Sequence, residues 1–486
     1  MLDIVIVTVP GTLSKLPPAA PALLKASIQM AGFTCKTLDF NIDFYKTVKT
    51  TELTDLENFF STEHNIEVKN RAQVFIEKCA KEIVDLNPRF LGISVFTYQN
   101  RTAAKMLCEE IRRISQIKII LGGQGLTEGG ILGSLGWAKE LKQQGLTDFF
   151  IKSEGERSLV ELLKGNITHS GINTESYDQI DDLDSIPIPD YGDYNFSLYE
   201  EKLIPITASR GCVRSCSFCD IHDHWKYKFR SGKSVADEMI MLHEKYQVEN
   251  FYFTDSLVNG SLREFRKFCN IMSEYNQQYG SKIKWTGQYI VRGKQHLTEE
   301  DWKILAKSGA YSLFMGIETG SDKVRKHMNK NFTNADLDYT MEMLDKYNIT
   351  CVFLMIIGYP TETKEDFNET LAMFERYQHL ANTIIIDVNL GTTVSILEGT
   401  PLYKKASEYN IEIDKKNGLN WIANNNPDLT ISERLNRLKK TQNYIGTLGY
   451  KFNNRQEGMM KIIEDQIPIF EKRNKIKKMI EIKSVN

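Results

Sequence analysis

Three cysteines crowd into eight residues of this 486-residue chain, in the run Thr207-Ala208-Ser209-Arg210-Gly211-Cys212-Val213-Arg214-Ser215-Cys216-Ser217-Phe218-Cys219. The other five, Cys35, Cys79, Cys108, Cys269 and Cys351, are scattered. Cysteine is a common small hydrophobe of protein cores, but three on a polar stretch with glycine and arginine are hard to assign to packing. Three thiolates can hold three irons of a cubane 4Fe-4S cluster and leave the fourth iron open to a ligand. The competing chemistry is structural zinc, with His222 or His224 as the fourth ligand after Cys212, Cys216 and Cys219. The iron-sulfur reading is preferred, because a closed zinc site gives no reason for the strand pattern that surrounds the cluster.

That pattern sets where the thiols stand. From Leu203 onward six apolar runs recur, Leu203 to Thr207, Asn250 to Thr254, Ile283 to Tyr289, Leu313 to Ile317, Cys351 to Ile357 and Ile384 to Leu390, with amphipathic stretches between them. Six successive β/α units read as a partial (β/α)6 barrel of the TIM type, whose functional residues follow the strands. The cysteines come directly after the first strand. The first 165 residues alternate strands, Ile4 to Val9, Cys35 to Phe40, Phe90 to Ser94, Ile117 to Leu121 and Phe149 to Ile151, with helical stretches near Ala19 to Met30, Ala72 to Leu86, Thr102 to Ile114 and Glu156 to Leu163. This is the signature of a doubly wound, Rossmann-like parallel sheet that takes ligands at the carboxyl ends of its strands.

The expected organisation is therefore α/β throughout: a doubly wound domain over 1–170, a linker over 171–200 rich in Asp and Pro, the barrel over 201–400, and a helical extension over 401–486. The extension shows no clear strands, and its helical patterns include Ser432 to Tyr444 and Gln466 to Ile482. It carries 17 Lys and Arg against 10 Asp and Glu, whereas the whole chain has 61 against 63. No global field draws the chain to nucleic acid, and the basic end reads as a solvated helical face. No run of about 18 apolar residues reads as a membrane span. Asp3 stands where a signal peptide would need a basic residue, so the expectation is a cytoplasmic protein with reduced thiols.

The C-x3-C-x2-C spacing with an aromatic before the last cysteine resembles the signature of the radical S-adenosylmethionine superfamily. That resemblance implies a 4Fe-4S cluster on Cys212, Cys216 and Cys219, whose open iron chelates the amino and carboxylate groups of S-adenosylmethionine. One electron from the cluster then cleaves the sulfonium C5'–S bond, and the 5'-deoxyadenosyl radical abstracts hydrogen from unactivated carbon. An electron donor such as flavodoxin or ferredoxin and a small-molecule or peptide substrate are the implied partners. The strand ends Thr254-Asp255-Ser256, Gln288-Tyr289-Ile290-Val291-Arg292 and Gly316-Ile317-Glu318-Thr319-Gly320-Ser321 support the resemblance. By it Glu318 is the foremost cofactor contact, Asp255, Gln288 and Arg292 are further contacts or salt-bridge partners, and Phe218 covers the adenine. Arg230 and Ser231 read as structural, capping the helix near Val235 to Tyr246.

The N-terminal domain in combination with the barrel resembles the cobalamin-binding class of that superfamily. The matching pieces are Pro17-Pro18, Ala31-Gly32-Phe33, Pro88 to Thr97, Gly122-Gly123-Gln124 and Glu154-Gly155-Glu156. Small residues at Ser94, Gly122 and Gly123 would admit the corrin's nucleotide tail. The Asp-x-His-x-x-Gly loop is missing and no His precedes His64, so a bound cobalamin would lack a protein imidazole ligand. The resemblance implies cobalamin-dependent methyl transfer to an unactivated carbon. The alternatives are a cobalamin-independent radical rearrangement, cyclisation or oxidation, methylthiotransfer with a second cluster on Cys35, Cys79 and Cys108, and a zinc-stabilised binding protein. Strand and helix placement of those three cysteines favours buried structural thiols.

Overall fold

The computed structural model describes residues 1–11, 16–47, 66–127, 133–152, 154–391, 393–414, 418–452, 464–465 and 467–470, with the side chains at 66–68, 223 and 224 outside that description. In chain order the first elements are β1 (Leu2–Thr8), α1 (Ala19–Met30), β2 (Cys35–Asp39), α2 (Phe40–Thr47), α3 (Ile66–Asp85), β3 (Pro88–Ser94), α4 (Arg101–Ile114), β4 (Lys118–Gly122), α5 (Gly136–Gln143), β5 (Phe149–Ile151) and α6 (Gly155–Leu163). Next come β6 (Leu203–Ile206), β7 (Ser209–Arg210), α7 (Ile221–His224), β8 (Lys228–Phe229), α8 (Gly232–Tyr246), β9 (Asn250–Phe253), α9 (Leu262–Tyr279), β10 (Lys284–Tyr289), α10 (Glu299–Lys307) and β11 (Ala310–Glu318). The remainder is α11 (Asp322–His327), α12 (Asn334–Lys346), β12 (Thr350–Met355), α13 (Lys364–Arg376), β13 (Ile385–Asn389), α14 (Pro401–Lys404), β14 (Ile411–Ile413), β15 (Trp421–Ala423) and α15 (Ile431–Thr447). The chain divides into two compact units, residues 1–209 with 228–254, and residues 210–227 with 255–486.

In the first unit β1 to β5 form a sheet of order β2-β1-β3-β4-β5, all parallel. Alternate residues face opposite sides. Val5, Val7, Leu91, Ile93, Ile119 and Leu121 pack with Ala72, Ile76, Ala103 and Leu107 of α3 and α4. Ile4, Ile6, Phe90 and Ile120 pack with Ile28 of α1 and Leu159 and Leu162 of α6. Burial on both faces is why the strands read as nearly continuous apolar runs rather than as an alternation. The order reverses between β1 and β3, which puts the ligand crevice of a doubly wound sheet at their carboxyl ends.

The Asp- and Pro-rich stretch expected as a linker is tied down within this unit. Lys25, buried on α1, pairs with Asp190 at 3.1 Å and Asp193 at 2.7 Å, and the Tyr191 hydroxyl donates to the Pro205 carbonyl at 3.1 Å. The unit also holds the parallel pair β6 and β9 with α8. Ser231 caps α8 by accepting from Ser234 N, and Arg230 beside it forms a buried ion pair with Glu238 at 2.6 Å.

In the second unit β10, β11, β12 and β13 are parallel neighbours in that order. The helices α10, α12 and α13 start with the same device: Thr298, Thr333 and Thr363 each take a backbone N–H three residues on, and Asp301, Asp336 and Asp366 return the bond. This Thr-x-x-Asp box fixes each helix start after its loop. Along the chain the six strands β6 and β9 to β13 alternate with helices, as the six apolar runs require.

The C-terminal part departs from the expected all-helical extension. Ile411–Ile413 and Trp421–Ala423 pair antiparallel as β14 and β15. Three residues are too few for a period-2 pattern to be recognised in a sequence. The expected helix at Ser432 to Tyr444 lies inside α15. Of the expected helix from Gln466 to Ile482, residues 467–470 are helical and the rest lies outside the described residues. Among the described residues no helix is long and apolar enough to cross a membrane.

Candidate functional site

The three clustered cysteines fall in one stretch of the second unit. Cys216 is buried, and Cys212 and Cys219 are half-buried. The loop is held by its own backbone, Cys219 N donating to Cys216 O at 3.1 Å and Arg214 N reaching Cys212 Sγ at 3.4 Å. It is also laced to the segment after α11. Ser217 N donates to Met328 O at 3.0 Å, and the Asn329 amide donates to Ser215 O at 2.9 Å and Ser215 Oγ at 2.8 Å. Ser217 Oγ meets the Tyr359 hydroxyl at 2.8 Å.

Glu318, at the end of β11, stands close to this loop through Lys330. The strand slips register between Gly316 and Glu318, and Glu318 takes a left-handed backbone with φ of 66°. Such a conformation in a non-glycine residue costs about 1–3 kcal/mol and persists only where the surroundings impose it. Here they do. Ile356 N donates to Glu318 O at 2.8 Å, Gly320 N to Thr370 Oγ1 at 3.0 Å, and Ser321 Oγ to Asp366 Oδ1 at 2.7 Å. The Glu318 carboxylate then pairs with Lys330 Nζ at 2.6 Å, and the same ammonium donates to Gly316 O at 3.0 Å. A side chain on Gly316 would run into both partners, with Lys330 Nζ 2.6 Å from its first carbon.

Lys330 was not among the residues that motif spacing singles out. It is flanked by Asn329 and Asn331, both left-handed with φ of 59° and 49°. Asparagine is the non-glycine residue that adopts this region most readily. The Asn-Lys-Asn run is the signal that could have marked it. Its ammonium also lies 5.8 Å from the centre of the Phe218 ring, a cation–π distance.

Burial pushes all three loop thiols up, and the positive charge of Lys330 opposes that shift at each of them. A neighbouring loop thiol adds to the upward shift in each case, Cys219 at Cys212, Cys212 at Cys216 and Cys216 at Cys219. Burial works against the charge on Lys330 itself, but Glu318 and the thiols of Cys216 and Cys212 hold it above its ordinary value. The donor set therefore fits a cluster: three soft ligands on one loop, short of charge compensation until a buried cation supplies it. Among the described residues no three His, Cys, Asp or Glu side chains are arranged to hold a metal ion. The His224 side chain, named as an alternative ligand, lies outside the described residues.

The remaining expected contacts of this unit are placed as follows. Asp255 is buried, Gln288 is half-buried, and Gln288 O accepts from Val258 N at 2.8 Å. Arg292 Nη2 donates to Asn259 O at 3.2 Å, and its buried Nε has no hydrogen-bond partner among the described residues. Burial, then the nearby charge of Arg214, holds the Arg292 guanidinium below its usual range. Phe218 packs on an apolar cluster with Val324, Met328, Tyr359 and Leu402 while one face looks toward Lys330.

In the first unit Ser94 and Gly122 are register partners at the carboxyl ends of β3 and β4. Gly123 has φ of 106°, and a side chain there would strike the Val95 carbonyl. Close approach of the two loops thus accounts for that glycine. At the neighbouring crevice the Asn100 amide donates to Val9 O at 2.8 Å and Pro10 O at 3.2 Å, joining the loops after β1 and β3. The scattered cysteines all lie in packed interiors.

Residues 206–374 match the family described as the radical SAM superfamily. An uncharacterized methyltransferase of Pyrococcus horikoshii is 24% identical over 366 residues, which are 70% of this chain and 73% of that protein. An anaerobic magnesium-protoporphyrin IX monomethyl ester cyclase of Cereibacter sphaeroides is 25% identical over 63% of this chain, which spans about half, 52%, of the cyclase. Among solved structures, a methyltransferase from Kitasatospora setae, determined with cobalamin and a 4Fe-4S cluster bound, superposes with a TM-score of 0.63. That match covers 85% of this chain and 81% of the other at 16% identity, and it establishes the α/β fold.

Proposed function

We propose, for a chain that is a radical S-adenosylmethionine enzyme through its residues 206–374, that it transfers a methyl group to an unactivated carbon of a small-molecule or peptide substrate with the help of cobalamin. The observation that carries the reading is the cysteine loop, three thiols within eight residues bonded to the segment that leads to the buried Lys330–Glu318 pair at a strand end. Cys212, Cys216 and Cys219 would hold a 4Fe-4S cluster, which supplies the electron for reductive cleavage of S-adenosylmethionine. Glu318, Asp255, Gln288 and Arg292 would hold the polar parts of that cofactor, and Phe218 its adenine.

The carboxyl edge of the five-stranded sheet, at Ser94, Gly122 and Gly123, would receive cobalamin without a protein imidazole below it, since no His precedes His64. The cobalamin-bound methyltransferase of like fold and the methyltransferase relative support this part. A second reading, radical ring closure, is favoured by the cyclase match.

Anaerobic reconstitution tests both. The expected result is about four irons per chain, 5'-deoxyadenosine or S-adenosylhomocysteine formed from S-adenosylmethionine, and corrin absorbance that survives gel filtration near one per chain. Iron and S-adenosylmethionine cleavage without retained corrin would favour ring closure or another cobalamin-independent reaction. A variant lacking all three loop cysteines that still cleaved the cofactor would overturn the mechanism.

A further inference from the structure

Lys330 is given no chemical role in the reading above, yet the second unit places several constraints on it. Its side chain is 16% exposed, with Glu318 at 2.6 Å and the Gly316 carbonyl at 3.0 Å. Two left-handed asparagines frame it, and one of them is bonded to the cysteine loop at Ser215. Met328, two residues before Lys330, accepts through its carbonyl from Ser217 N of the same loop. Phe218, between Cys216 and Cys219, lies under its ammonium. A buried ion pair is a poor source of stability, because desolvation of both ions offsets their attraction. A lysine fixed in this way beside a loop that carries three ligand-type sulfurs has a different use.

We propose that Lys330 is the charge-compensating residue of the three-cysteine site, a fixed ammonium that stabilises the negative charge on the thiolates and any electron added to the group they hold, with Glu318 setting how much of that charge is felt. The inference rests on the reading of Cys212, Cys216 and Cys219 as cluster ligands. Lys330 is a positioning and tuning residue and not a catalytic one. The sign follows from electrostatics. A positive charge near a redox centre favours its reduced form, and a carboxylate paired with that charge weakens the effect. Removing Lys330 makes reduction harder, and removing the charge of Glu318 makes it easier.

The experiment is an EPR-monitored redox titration of the anaerobically reconstituted full chain, with iron and sulfide measured on each sample. Lys330→Met is expected to shift the midpoint to more negative potential, changing the ratio of reduced to oxidised protein at the wild-type midpoint by about tenfold, or about 59 mV for a one-electron couple. Glu318→Gln is expected to shift it the opposite way, and Lys330→Arg to stay near wild type. Opposite signs are the readout that a packing role would not give. An unchanged midpoint in Lys330→Met at wild-type iron content, or shifts of the same sign in Lys330→Met and Glu318→Gln, overturns the proposal. Should Lys330→Met fail to take up iron, uptake by Lys330→Arg supports charge compensation, and equal failure of both overturns it. Wild-type protein that takes up no iron instead overturns the ligand reading beneath the proposal.

Discussion

Burial acts on the thiols of the packed interiors and on those of the cysteine loop in the same direction, but the two regions answer it differently. Cys108, between α4 and the sheet of the first unit, is pushed up to about 12, and Cys269 on α9 of the second unit likewise to about 12. Cys351, in the middle of β12, is pushed up by burial with no opposing charge. In the loop, a backbone N–H is aimed at Cys212, and the ammonium of Lys330 opposes the shift at all three sulfurs. A single cation or donor does not make the difference, since Arg112 opposes the shift at Cys108 and Ser308 does so at Cys269. What sets the loop apart is that three thiols share one stretch of backbone and one buried ammonium acts on all of them, whereas each packed thiol stands by itself as a small hydrophobe.

The severest way to break this contrast is to exchange the two populations. Replacing Cys212, Cys216 and Cys219 together by Ala is expected to abolish iron uptake and reduce 5'-deoxyadenosine formation to background, as measured chromatographically. Cys269→Ala and Cys351→Ala should retain full iron content. A smaller effect separates the same groups without mutation. In anaerobic apoprotein, iodoacetamide should modify the loop cysteines at least about tenfold faster than Cys108, Cys269 or Cys351, which need unfolding to react. Peptide mapping of the alkylated sites reads this directly, and equal rates would dissolve the distinction.

Buried carboxylates extend the comparison. Glu318 has Lys330 beside it, and Glu362 has Arg437 at 3.0 Å, but burial still carries Glu362 from the ordinary 4.5 up to about 7. A carboxyl group that binds its proton more tightly when folded stabilises the fold most below about 4.5, and that contribution is lost as pH rises through about 7. Stability of the second unit should therefore fall across this window by a few kcal/mol, and Glu362→Gln should flatten the slope in denaturant titrations. The smallest expected effect concerns Cys351. Cys351→Ser puts a hydroxyl into an apolar strand centre and should cost about 1–3 kcal/mol, while Cys219→Ser in the half-exposed loop should leave the apoprotein's unfolding midpoint nearly unchanged.

How much of this could be read in advance follows from where each signal lies along the chain. The C-x3-C-x2-C spacing is local, and Glu318 ends an unbroken apolar strand, so both were legible. The alternation of strands and helices was legible for the same reason, although β11 begins at Ala310, three residues before the expected Leu313. Lys330 was legible only as part of a turn, through the asparagines on either side of it; its burial arises from the other wall of that turn, the cysteine loop, more than a hundred residues earlier. The pair of Glu362 and Arg437, which lie 75 residues apart, was not legible. The short strands β14 and β15 escaped because three residues carry too little pattern.

The arginines of α15 give the last helix a role in time as well as in space. Arg437 donates to Glu362 Oε1 and O at 3.0 Å and to Thr363 O at 3.1 Å, and Arg434 lies over the Trp421 ring at 3.6 Å while packing on Gly358. Between those two grips stands Tyr359, whose hydroxyl holds Ser217 of the cysteine loop. During synthesis the cysteines emerge more than two hundred residues before α15 does. A nascent chain therefore carries its thiols long before the wall behind them exists.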